Sequence, residues 1–557
     1  MSGIRNNKKP LTNHANDAAH WFLNELKYRI VAESGKPSDS CHLGKIILQS
    51  LKDDPQFISQ IDGSIGASEP FDSILQRSVQ CANGLRELRV NTGDVMILMA
   101  PNHLDLAIPF YAALYLGIII APIDIFLKLN ELEDVFRINN PKIIFCQNNR
   151  LPDVMEAANR TGLKPMFVTF DKGENALSFA DFLMNYGNDV DVNDFRCSDF
   201  DPASTISILL STSGTTGKPK SAAVPHRSFG ISMPYFWTMH TKFPTPTKMV
   251  CIVSPLQWLS AVLHFLMSPI MRYTRLQSTL PMTQEHAYEL INNYKPTSMI
   301  VSPTMMTSLI KSGDRKKCDF TCFETLIIGG SAVHEKLIAE VKKITPNTQV
   351  LGTYGLSEAT TLVFQDSNPP PGSCGKPIGL FQYRLVDPTT GADITEYHVP
   401  GELIIFGPAL FSGYFNNPEE TKAVFEDGWL KTGDMFYRDE NWNFFFVDRL
   451  KQLLKYKNHQ ISPVEVENVI RQHPGIMDVA VVGLPDPECG DLPVACVVPK
   501  PGHTIKADEI KNIVKENLTD MKQLRGGVIF MSELPATATT KLHRQKLKEI
   551  VLSAHRE

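Results

Sequence analysis

Ser211-Thr-Ser-Gly-Thr-Thr-Gly-Lys-Pro-Lys220 follows the apolar run Ile206–Leu210. Five hydroxyls, two glycines and two lysines crowd into these ten residues. Glycine lets backbone N–H groups approach an anion closely, hydroxyls add donors, and lysines add charge. The stretch is not a Walker A loop: the spacing from Gly214 to Gly217-Lys218 is too short, and Pro219 stands where a magnesium-binding Ser or Thr would be. Composition alone also fits a flexible linker. A buried-strand run leading directly into Lys-Pro-Lys instead implies a polyphosphate ligand such as ATP.

Outward from this loop, apolar runs of strand length alternate with amphipathic segments of helix length. Val95–Met99, Gly117–Pro122, Lys142–Cys146 and Met166–Phe170 precede the loop; Met249–Val253, Met299–Val301 and Thr325–Ile328 follow it. Glu285–Asn293 and Glu335–Val341 fit helices between them. This pattern predicts an α/β fold with largely parallel sheets. From Gly379 the texture becomes β-rich, with Tyr383–Val386, Gly401–Ile405 and Asn443–Val447 set between Pro/Gly/Asp turns. A second break falls at Asp448-Arg449-Leu450-Lys451. Beyond it, helices at Pro463–Gln472 and Ala507–Asn517 and strands at Val479–Val482 and Val494–Val498 make a small α+β domain.

At 557 residues the chain exceeds one hydrophobic core. A net charge of −5 argues against nucleic acid as the main partner. The ten cysteines are scattered without zinc spacing, which predicts free thiols in a reducing, intracellular setting. No secretory signal is visible behind Met1. Leu106–Ile123 is long and uncharged, but Pro109, Gly117 and Pro122 make it a buried helix turning into a core strand rather than a membrane span. Peripheral membrane association stays compatible with this composition. The oligomeric state is not legible.

Further polar clusters join the loop. Tyr354-Gly-Leu-Ser-Glu358 sets a carboxylate where bound polyphosphate would need magnesium. Thr432-Gly-Asp434 offers a carboxylate to both hydroxyls of a ribose. Asp448-Arg449 opens a basic series through Lys451, Lys455 and Lys457, and Thr537-Ala-Thr-Thr-Lys541 ends a loop in a lysine.

In order and spacing these motifs resemble the acyl-adenylate-forming, AMP-binding superfamily, in its branch of beetle-luciferase-like proteins, 4-coumarate–CoA ligases and fatty acyl-CoA synthetases. The match also takes in Gly329-Gly330-Ser331, Gly413-Tyr414, Gly428-Trp429-Leu430, Gln460, Pro463, Glu465 and Leu524–Gly527, running from about Pro70 to Leu547. The resemblance implies an N-terminal AMP-binding domain over 20–448, with a β-rich subdomain over about 379–448. It implies a C-terminal domain over 449–557 that swivels about a hinge near Lys451. It further implies ATP, Mg2+ and coenzyme A as ligands and a small carboxylic acid as substrate. Thr212, Ser213, Gly214, Thr215, Thr216, Gly217 and Lys218 would grip the phosphates, with Thr215 and Glu358 on the metal. Gly330, Ser331, Ala332, Tyr354, Gly355, Leu356 and Ser357 would line the nucleotide, with Asp434 and Arg449 at the ribose. Lys541 would bridge the acyl carboxylate and the α-phosphate, and Lys455 would replace it after rotation. The acyl pocket would draw on Gln257, Trp258, Ser260, Thr304, Met305 and Thr361, a wall without charge. That composition favours a fatty or aromatic acid over an amino acid.

Three stretches depart from the family pattern. Gln257 stands where His is usual, with Ser260 in place of Gly; Asn458 and Thr540 stand in place of glycines. Gln donates a hydrogen bond but carries no charge. The expected activity is an acid–thiol ligase. A luciferase-like oxygenase and a degenerate nucleotide- or acyl-binding protein are the alternatives. Against the oxygenase, Ser228–Met233, just beyond Pro225-His-Arg227, carries no base. A cytoplasmic location is expected; family resemblance also allows peroxisomes, although the chain does not end in Ser-Lys-Leu.

Overall fold

The computed structural model describes residues 11–173, 175–188, 191–213, 219–240, 248–310, 315–366, 368–456, 459–487, 489–536 and 542–557. Side chains are described for these apart from 11–22, 213, 219, 236–240 and 459–460.

Two sheets of mainly parallel strands form the body. One has eight strands in the order Gly413–Tyr414, Pro219–Pro225, Ile206–Ser213, Ile119–Pro122, Val95–Met99, Ile143–Cys146, Met166–Thr169 and Leu177–Ser178. The other has seven, in the order Gln349–Gly352, Thr325–Ile328, Ser298–Val301, Met249–Ile252, Thr274–Gln277, Ile58–Asp62 and Ala67–Pro70. Their strands are apolar because both faces are covered, as parallel strands require. The helices Leu43–Asp53, Ala107–Leu116 and Leu259–Met271 contribute to the core packed between the sheets.

Every residue of Ala107–Leu116 is buried. Gly117 (φ +69°) then turns the chain into the strand Ile119–Pro122, and a Cβ there would meet the Phe200 ring at 2.7 Å. Glycine is therefore required on both backbone and steric grounds. The apolar run Leu106–Ile123 is thus core, and no helix among the described residues is long and apolar enough to cross a membrane. Phe110, fully buried within it, would cost about 3–5 kcal/mol on truncation to alanine.

The β-rich part is an antiparallel sheet that starts earlier than composition suggests. Tyr354–Leu356, Thr361–Gln365 and Ser373–Pro377 belong to it, ahead of Gln382–Val386, Gly401–Phe406, Trp429–Arg438 and Phe444–Arg449. Short strands bent by the bulges between Tyr354 and Gly355 and between Ser373 and Gly375 hide their period-two pattern. A separate small sheet, with the helices Pro463–Ile470, Ala507–Asn517 and Arg544–Ser553, forms the C-terminal unit. All ten cysteines are free thiols, as their spacing predicts.

The flanks of the glycine-rich loop pair with each other. Ile206–Ser213 returns as the antiparallel strand Pro219–Pro225, with Thr212 opposite Lys220 and Ser213 opposite Pro219. The strands on either side of the glycine-rich segment therefore form the two arms of a hairpin.

Candidate active site

The carboxyl edges of the two parallel sheets meet, the position where open α/β sheets bind ligands. Asn102, just beyond Val95–Met99, donates its amide to the Ser254 carbonyl (2.9 Å), just beyond Met249–Ile252. Asp124, just beyond Ile119–Pro122, is buried and takes the Phe126 N–H (2.9 Å). Burial pushes its carboxyl above the ordinary range, against the opposing pull of the Phe126 N–H and the Gln257 amide. A cleft of about 3780 Å³ opens here and continues to the antiparallel sheet and the C-terminal unit.

One wall is built on Asp434. The strand Trp429–Arg438 places it opposite Arg449, whose Nε lies 3.3 Å from Oδ1. The Tyr354 hydroxyl donates to Oδ2 (2.6 Å), and the Tyr354 ring packs edge-on against Phe436 at 4.7 Å. Burial first, and then the Asp434 charge, holds the Tyr354 phenol well above its ordinary range. It is therefore a fixed donor. Gly433, beside Asp434, donates its N–H to the buried Glu402 (3.2 Å).

Beneath the hairpin runs a second network. The Tyr414 hydroxyl donates to Glu358 Oε1 (2.8 Å), Lys220 Nζ lies 5.1 Å from the Tyr414 ring centre, and Lys220 pairs with Glu420 at 2.5 Å. Among the described residues, only the Tyr414 hydrogen bond engages the Glu358 carboxylate. A single carboxylate beside a phosphate site suits Mg2+, which binds through one or two carboxylates plus substrate phosphates and water. Among the described residues, no group of three potential metal-ligating side chains gathers, so the phosphates would complete such a site.

Of the residues singled out by sequence, Thr212, Gly330, Ser331, Ala332, Tyr354, Gly355, Leu356, Ser357, Glu358, Asp434 and Arg449 line this one cleft. Gln257, Trp258, Ser260, Thr304, Met305 and Thr361 line it too. Gly214, Thr215, Thr216, Gly217, Lys218 and Lys541 lie outside the described residues, as do Asn458 and Thr540, and so does the Ser213 side chain. The flanks of the Lys541 segment are informative: Ala536 pairs with Leu542, and Pro535, Ala536, Leu542, His543 and Arg544 all line the cleft. Lys455 is not among the lining residues; its side chain is exposed and its N–H goes to Asp491 (3.0 Å).

The acyl-side wall differs from its sequence reading in one respect. It is not free of charge, because Asp124 lines the same cleft beside Gln257. Thr361 is only 1% exposed and its hydroxyl has no partner among the described residues, so it contributes packing more than surface. Sequence reasoning also missed Tyr414 as the partner of Glu358. Asp124 could have been found as a lone acid ending a core strand; Tyr414 could not, since it lies 56 residues from Glu358.

The sequence profile of the AMP-binding enzyme family matches residues 55–415, and that of the AMP-binding enzyme C-terminal domain matches 465–541. The chain belongs to the AMP-binding enzyme family. Luciferin 4-monooxygenase of Photinus pyralis is 30% identical over 513 residues, spanning 90% of this AMP-binding enzyme and 92% of that protein. Peroxisomal OPC-8:0-CoA ligase 1 of Arabidopsis thaliana is 28% identical, spanning 89% and 91%. The anthranilate CoA ligase AuaEII, solved with anthranoyl-AMP, shares the fold at a TM-score of 0.81 and 21% identity, covering 91% of this AMP-binding enzyme and 97% of that chain.

Proposed function

We propose that this AMP-binding enzyme is an ATP-dependent acid–thiol ligase that converts a fatty or aromatic carboxylic acid to its acyl-CoA. The observation that carries the reading is the shared cleft: the Asp434–Tyr354–Arg449 wall, the Glu358–Tyr414 pair and the flanks of the Lys541 segment open onto one space. In the first half-reaction a carboxylate oxygen attacks the α-phosphorus of ATP and pyrophosphate leaves, giving an acyl-adenylate. In the second, a thiol attacks the acyl carbon and AMP leaves. Neither step needs a strong general base; both need alignment and charge neutralisation. Asp434 accepts the ribose hydroxyls while Tyr354 and Arg449 hold it. Lys218 and the hairpin hydroxyls grip the leaving pyrophosphate, and Lys541 bridges the carboxylate and the α-phosphate. Glu358 and Thr215 would hold Mg2+, which would supply charge neutralisation at the phosphates.

The domain boundary near Lys451, the later use of Lys455 and a cytoplasmic location belong to the same proposal. Pyrophosphate exchange into ATP across a panel of carboxylic acids, followed by detection of the CoA thioester, tests it. No exchange with any aliphatic or aromatic acid would refute it.

The identity to luciferin 4-monooxygenase motivates a second reading, an oxygenase acting on an adenylated substrate. Ser228–Met233 offers it no basic side chain. Light emission with luciferin, ATP and Mg2+ decides between them. ATP binding without turnover of any acid would instead mark a degenerate, ligand-binding member.

A further inference from the structure

The strand Trp429–Arg438 does not run evenly along its neighbour Gly401–Phe406. Glu402 pairs with Met435, but Ile404 pairs with Lys431, so Thr432, Gly433 and Asp434 stand opposite Leu403 alone. Such a bulge breaks the ladder and re-aims the side chains it carries. Here it falls on the residue from which one wall of the cleft is built, and Asp434 meets Arg449 on the next strand.

A broken ladder leaves backbone groups in need of partners, and side chains supply them. Thr432 Oγ1 donates to the Leu403 carbonyl (2.7 Å) and accepts the Asp434 N–H (3.1 Å). The Gly433 N–H goes to Glu402 Oε1 (3.2 Å). Gly433 has φ +70°, and nothing crowds the place a Cβ would take, so the left-handed backbone alone calls for glycine there.

Glu402 is 8% exposed and lines the cleft, and among the described residues the Gly433 N–H is the one hydrogen-bond donor to its carboxylate. Burial holds its carboxyl above the ordinary range, against the pull of that N–H and of Lys431, with the Asp434 charge pushing the same way as burial. Burying an acid beside a second acid is costly, and strand pairing with Met435 does not call for one. What the carboxylate holds is the backbone one residue before Asp434. Without that acceptor the Gly433 N–H is orphaned, and a glycine backbone gives way readily. Asp434 would then shift against Tyr354 and Arg449.

We propose that Glu402 is a positioning residue for nucleotide binding: through the Gly433 N–H it fixes the bulge that presents the Asp434 carboxylate to the ribose hydroxyls. This rests on the ribose role given to Asp434 in the reading above. Glu402 acts through Asp434 and as a hydrogen-bond acceptor, so an amide oxygen can take its place.

The test measures calorimetric binding of ATP and of 2′,3′-dideoxy-ATP, each with Mg2+, to the full-length protein, and so needs no turnover. The wild-type protein should hold ATP at least about tenfold more tightly than the dideoxy nucleotide. Glu402→Ala should weaken ATP by about tenfold and the dideoxy nucleotide by less than about twofold, because the latter offers Asp434 no hydroxyls. Glu402→Ala combined with Asp434→Ala should be no worse than Asp434→Ala alone, since both remove one interaction. Glu402→Gln keeps an acceptor for Gly433 and should bind ATP within about threefold of wild type. Equal losses for the two nucleotides would mark a merely structural acid and overturn the proposal. Additive losses in the double variant, or a Gln variant as weak as the Ala variant, would overturn it too. So would a wild-type protein that binds ATP no better than the dideoxy nucleotide, or binds neither. If Glu402→Ala does not fold, Thr432→Val cuts the other side-chain tie of the same bulge; its loss must again be confined to ATP, and an equal loss sinks the proposal. The ligase reading fails separately: ribose discrimination with no acid activated would refute it and leave the assignment of Glu402 standing.

Discussion

The two walls of the cleft are built differently. On the Asp434 side, Tyr354 and Arg449 converge on one carboxylate, and the ring packing of Tyr354 on Phe436 fixes the donor. On the Gln257 side, a buried Asp124 faces an uncharged amide, the Ser254 and Ser260 hydroxyls satisfy each other at 2.8 Å, and Thr361 Oγ1 has no partner among the described residues. A carboxylate held by a phenol and a guanidinium is pre-organised for one ligand geometry. A wall of short, self-satisfied hydroxyls accepts several. The wall proposed to meet ATP is thus built for a single partner, whereas the wall proposed to meet the acyl group is where members of a family can differ.

Experiments that break this contrast range from large effects to small. Lys541→Ala should lower acyl-adenylate formation by about 100-fold or more, measured by pyrophosphate exchange, while thioester formation from supplied adenylate is retained. Losing both steps equally would remove the division of labour between the Lys541 and Lys455 segments. Asp434→Ala should raise the KM for ATP about 10- to 100-fold, and Tyr354→Phe, which removes only the donor, less than about tenfold. Two equal effects would mean that the wall acts through packing. On the acyl side, Gln257→His should change kcat/KM for acids by less than about tenfold with the KM for ATP unaltered, because an adaptable wall tolerates replacement. A shift in the KM for ATP would show the walls to be coupled.

The scaffold behind the hairpin supplies the smallest test. His42 and His226 are buried side by side, with ring centres 5.6 Å apart, and the His226 ring has no hydrogen-bond partner among the described residues. Burial, and then Lys45, pushes His42 down to about 4 despite the Ser198 carbonyl, and burial also depresses His226. Unfolded, each ring takes a proton near pH 6.5. The unfolded chain therefore binds more protons between pH 6.5 and 4, and stability is present above that window and lost as pH falls through it. For His42 the loss by pH 5 is about 2 kcal/mol, and His42→Gln should flatten the pH dependence of urea unfolding. An unchanged slope would discount the pair.

Much of the fold was legible because it rests on local chemistry. Unbroken apolar runs between turn residues located the parallel strands, and Pro109 and Gly117 separated a buried helix from a membrane span. The helix Ala507–Asn517 and the strands around Val479 and Val494 were readable from periodicity alone. The antiparallel strands between Tyr354 and Pro377 were harder, since bulges interrupt their alternation. Within the site, Asp434, Tyr354 and Glu358 were recognisable because glycines and hydroxyls mark them in sequence. Asp124, Tyr414 and His334 carried no such mark.

By itself, then, the sequence determined the α/β layering, the family and the residues proposed to meet ATP, all of which depend on residue type and short spacing. Only the tertiary structure decided that Ile206–Ser213 and Pro219–Pro225 pair antiparallel, that a buried carboxylate faces Gln257, and that His334 reaches Asn468. Each of these depends on strand pairing, or on contacts spanning more than 130 residues, that no local pattern encodes.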